Sequence, residues 1–99
     1  MTAAACAEYF NDKLVQAEKV FAERYAATVG PAQQSALVWA AQQQPELCNQ
    51  YRQAQRKVEA HWLKGECSEA FKREVLAMFR ALLEIGRLYA GELNGRKAA

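Results

Sequence analysis

The side chains that could do chemistry are few: one histidine, His61, three cysteines, Cys6, Cys48 and Cys67, and eleven carboxylates. Three thiols and an imidazole could in principle surround a zinc ion, but no two of them have the close spacing that structural zinc sites use. An odd number of cysteines without framework spacing reads instead as reduced thiols in a cytoplasmic protein. Most acids lie on helix faces that also carry bases; Glu69 with Arg73 and Arg80 with Glu84 are four apart and read as solvated ion pairs contributing roughly 0.2–0.5 kcal/mol each. Nothing matches a phosphate-cradling glycine loop, a metalloprotease pair of histidines or a nucleophile elbow. The sequence therefore predicts a non-catalytic chain with no cofactor and no metal.

One segment stands apart, Ala60-His61-Trp62-Leu63-Lys64-Gly65. It resembles the Ala-His-x-Leu-Lys-Gly core of histidine phosphotransfer domains, which are helical bundles of this size. The resemblance implies that the neutral imidazole of His61 attacks an aspartyl phosphate on a partner receiver domain. Lys64 would then balance phosphoryl charge and Gly65 would leave room for the incoming domain. The similarity covers six of 99 residues, and the family's small residues and Gly-Ala step are replaced here by Glu66-Cys67-Ser68-Glu69-Ala70-Phe71. The preferred reading of His61, at the edge of an apolar stripe, is partial burial with a hydrogen bond; phosphotransfer is the alternative.

Nucleic acid is a second alternative and a weaker one. Arg52, Arg56, Lys57 and Lys64 lie on one predicted helix, and Arg73, Arg80 and Arg87, seven apart, align on another. Glu69, Glu74 and Glu84 interrupt or flank that face, and the net charge is only +2. Binding by counterion release wants a denser basic surface.

The elements that must position these residues are all helical. Alanine supplies 20 residues, while the β-branched types amount to six Val, two Thr and one Ile, a balance that favours helix over sheet. Ninety-nine residues hold one core, so residues 1–99 form a single domain. No apolar run approaches the ~20 residues of a membrane span, and the N-terminus lacks the pattern of a secretion signal.

Helix 1 is expected from about Ala3 to Thr28, on the stripe Phe10, Leu14, Ala17, Phe21 and Tyr25. Gly30-Pro31 should end it and start a short helix 2, Pro31 to Gln43, apolar nearly all round at Ala36 to Ala41 and so enclosed by the others. Helix 3 begins at Pro45 and carries Leu47, Tyr51, Ala54, Val58 and His61 or Trp62. Helix 4 runs from Glu69 to Leu93, capped by Ser68 and by Asn94-Gly95, with Phe71, Val75, Met78, Leu82, Ile85 and Tyr89 on one side. Helices 3 and 4 could be joined, since one glycine costs only about 1 kcal/mol. The stripe slips by one residue, roughly 100° of rotation, and that favours a break near Gly65. The expected fold is an all-α, compact antiparallel bundle of four helices.

Helix 4 carries a second apolar strip beside the first, Leu76, Phe79, Leu83 and Ala90, with Gly86 next to it. Surplus apolar area marks an interaction surface. The predicted function is thus protein binding by a small adaptor, inhibitor or regulatory subunit of bacterial style, acting through a helix face and most simply as a two-fold homodimer in which Gly86 and Ala90 admit another helix. The competing arrangement makes helix 4 the central helix, with both strips internal.

Overall fold

The computed structural model describes residues 3–29, 33–65 and 67–98. They form four helices, α1 (Ala3–Val29), α2 (Gln33–Gln43), α3 (Pro45–Leu63) and α4 (Glu69–Ala98), and the chain is an all-α bundle. The turn expected at Gly30-Pro31 lies outside the described residues. The predicted stripes point inward: Ala17, Phe21 and Tyr25 on α1, Ala54 and Val58 on α3, and Phe71, Val75, Met78, Leu82 and Ile85 on α4 are buried.

Helix α4 is the central element. It packs against α1 on one flank and α3 on the other, with α2 closing one end. The result is a flat body of 52 × 25 × 17 Å. α3 runs opposite to α4: Trp62 meets Phe71 near one end, with ring centroids 6.4 Å apart, and Lys57 reaches Glu74 one turn further on. α1, by contrast, starts at the same end as α4. Tyr9 lies 6.1 Å from Phe71, and Phe21 and Tyr25 lie against Gly86. The short α2 does not supply the full return pass that would reverse this direction.

α3 and α4 are separate helices, not one joined helix. Gly65 adopts φ 70°, a left-handed conformation that suits glycine, and its N–H donates to the Trp62 carbonyl at 2.9 Å. Restarting then needs a cap. The Phe71 N–H donates to Ser68 Oγ at 3.2 Å, satisfying one otherwise orphaned group of the first turn. Ser68→Ala is expected to lower stability by about 1 kcal/mol with no change of fold, read as a shift in the urea midpoint.

Two expectations need correction. α4 does not stop at Leu93, because Asn94 and Gly95 stay helical and the helix continues to Ala98. A glycine costs only about 1 kcal/mol, the three residue types that follow it favour helix, and no left-handed residue occurs there to terminate the run. α2 is not enclosed either. Ala36 and Ala40 are buried, but Val38 is 60% exposed and Ala41 faces outward, so one face of α2 packs and the other is open.

Candidate functional site

The five residues of the second apolar strip divide between two environments. Phe79 is buried in the bundle with its ring 5.3 Å from Phe10, and Ala90 is buried in the cluster that contains Phe21, Tyr25 and Ile85. Gly86 lets a helix approach closely, but that helix is α1 of the same chain: a Cβ there would lie 2.6 Å from Phe21 Cε2 and 3.0 Å from Tyr25 Cδ2. Leu83 is half-buried. Leu76 alone of the five stays open, at 41% exposure.

Leu76 and Leu83 border a groove of about 260 Å³ between α1 and α4. Ala17 and Val20 of α1 form its other wall, with Phe79 between the helices and Lys13, Gln16 and Arg80 around it. Sequence periodicity found the α4 half of this groove and missed the α1 half, because Val20 and Gln16 lie off the stripe that packs α1. Lys13 is drawn aside by Asp12 at 3.6 Å and lies 5.4 Å from the Tyr9 ring.

On the other flank of α4 a larger groove of about 560 Å³ runs between α3 and α4, with Ala54, Ala77 and Ala81 among its lining residues. Lys57 and Glu74, 3.9 Å apart, pair across it. Along the ridge between the grooves stand Arg73, Arg80 and Arg87, all exposed. The Arg87 Nε donates to Glu84 Oε2 at 3.0 Å, and this hydrogen bond holds the Glu84 carboxyl below its ordinary range. Two of the basic residues expected to meet phosphates, Arg87 and Lys57, thus already face carboxylates. A uniform basic track does not arise.

His61 is half-buried in the last turn of α3, beside Trp62, whose ring packs edge-on against Phe10 at 5.4 Å. Lys64 is exposed at the helix end, and Gly65 has left the helix. His61, Lys64 and Gly65 therefore do not share one continuing helical face, the arrangement that the phosphotransfer resemblance requires.

All three cysteines are free thiols and all are buried. Cys48 belongs to the cluster with Ala36, Ala40 and Ile85, and its proximity raises the Arg52 guanidinium further above its usual range. Cys6 and Cys67 belong to the other cluster, with Phe71 and Val75. Burial foremost, then the neighbouring Cys67, pushes the Cys6 thiol above its ordinary value. Among the described residues no group of three or more His, Cys, Asp or Glu side chains is placed to hold a metal ion, and no helix is long and apolar enough to cross a membrane.

No family model, curated protein or solved structure matches this chain.

Proposed function

We propose that this chain is a non-catalytic protein-binding module, an adaptor, inhibitor or regulatory subunit of the cytoplasm, that engages its partner through the groove between α1 and α4. The observation that carries the reading is Leu76, which stays 41% exposed above a groove lined by Leu83, Val20 and Ala17, on a helix whose Phe71, Val75, Met78, Phe79, Leu82 and Ile85 are buried. A partner that inserts an apolar side chain there covers this surface, and carboxylates around that side chain would face Lys13 and Arg80.

The simplest partner is a second copy bound about a two-fold axis. Covering the exposed part of Leu76 contributes only on the order of 1 kcal/mol per chain, so self-association through this strip alone is weak. A foreign protein that fills the groove gains more. Light scattering over a wide concentration range, on wild type and Leu76→Glu, tests the first case: a dimer that the substitution converts to a folded monomer assigns the groove to self-association. A monomer at every concentration removes it. Wild type should then retain a partner from its host extract that Leu76→Glu and Leu83→Glu, folded alike by circular dichroism, fail to retain. Equal retention by all three proteins would end the groove reading.

A further inference from the structure

We propose that Cys6 and Cys67 are a reversible dithiol–disulfide pair, a modification site that covalently joins the start of α1 to the turn before α4 when a small disulfide such as oxidised glutathione is the oxidant. The inference is independent of the groove. It begins with chain direction: α1 and α4 start at the same end of the body, so residues some 60 positions apart in the sequence meet there. Cys67 Sγ lies 3.8 Å from the Ala5 carbonyl oxygen, the acceptor just before Cys6. That contact sets Cys67 beside the first turns of α1 that carry Cys6, and both thiols sit in the buried cluster with Phe71 and Val75. Cys48 lies in the other cluster, against α2, and competes with neither.

Bridged cysteines hold their Cβ atoms about 3.5–4.5 Å apart, a separation that two cysteines on neighbouring packed segments can reach by small side-chain and backbone adjustment. Their exposures set the order of events. Cys6 is inside a helix and 0% exposed, whereas Cys67 is 6% exposed and lies in the non-helical link before α4. Cys67 loses its proton to solvent, and its thiolate attacks one sulfur of oxidised glutathione, forming a mixed disulfide and expelling one glutathione thiolate. Cys6, deprotonated in turn, attacks the Cys67 sulfur and expels the second. Two protein thiols are oxidised, one glutathione disulfide is reduced to two glutathione thiols, and nothing else is consumed.

The bond would tether α1 to the far side of a loop spanning most of the chain, constraining the unfolded state and holding the first turns of α1 in place. The test is equilibration of the folded protein in glutathione buffers of increasing oxidation, followed by intact mass, non-reducing peptide mapping and thermal melting. Wild type and Cys48→Ser are expected to lose two hydrogens, to yield one linked peptide pair containing Cys6 and Cys67, and to melt several degrees higher than their reduced forms, all reversed by reductant. Cys6→Ser and Cys67→Ser should show neither the link nor the rise; two variants are used so that one that fails to fold does not decide the matter. Folded wild type that keeps both residues as thiols in excess oxidised glutathione, carries them as separate glutathione adducts, or links either one to Cys48 would overturn the proposal.

Discussion

Phe71→Ala is expected to cost about 3–5 kcal/mol, the usual range for emptying a fully buried phenylalanine site. Phe71 has no exposed surface and anchors the end of the body where three elements converge. Its ring faces Tyr9 of α1 and Trp62 of α3, and its own N–H takes the Ser68 cap. A domain of this size has a total stability of roughly 5–15 kcal/mol, so the loss would be at least about a fifth of the whole. Urea denaturation followed by circular dichroism measures it. A loss below about 1 kcal/mol would mean that α1 and α3 close over the vacated space, and that this end of the bundle is less tightly specified than its packing implies.

Gly86 and Gly91, five residues apart on the same helix, should respond to substitution with opposite signs. At Gly91 a new Cβ meets nothing within 4 Å, so Gly91→Ala gains helix propensity and is expected to stabilise by roughly 0.5–1 kcal/mol. At Gly86 the same atom would fall 2.6 Å from the Phe21 ring, itself only 3% exposed and with little room to withdraw. Overpacking of this kind costs about 1–3 kcal/mol, and a larger side chain more. Gly86→Ala is therefore expected to be destabilising despite its propensity gain, and Gly86→Leu to lose about 3 kcal/mol by pushing α1 off α4. Melting temperatures of the three variants suffice. A stabilising Gly86→Ala would show that α1 moves aside at little cost.

Much of the fold is legible in the sequence because apolar spacing reports directly on which side of a helix is buried. The stripes of α1, α3 and α4 were all readable, and the one-residue slip of phase located the turn that Gly65 makes. Less legible was which neighbour covers which face. Leu76, Phe79, Leu83, Gly86 and Ala90 form one strip by periodicity, yet α1 covers Phe79 and Gly86 and leaves Leu76 open, a division fixed by the placement of a helix some 60 residues earlier. The α1 side of the groove, Val20 and Gln16, gives no periodic signal because it lies off the buried stripe. The Asn94-Gly95 pair carried a stop signal that helix propensity outweighed. Cys6 and Cys67 gave no spacing signal at all, since their place in one buried cluster depends on α1 and α4 sharing a direction, which no local pattern encodes.

That shared direction also bears on the order in which the bundle assembles. α3 and α4 are joined by a tight turn, so their pairing closes a short loop and can proceed at little entropic cost. α1 docks chiefly on α4, across a loop that includes α2 and α3, and the cost of closing it must be met before Phe21 and Tyr25 reach Gly86. An α3–α4 hairpin that forms early and an α1 that docks late follow from this topology. In a chain emerging from the ribosome the effect is sharper: α1 is made well before α4, its principal binding surface, so Phe21 and Tyr25 remain without their final neighbours until α4 has followed.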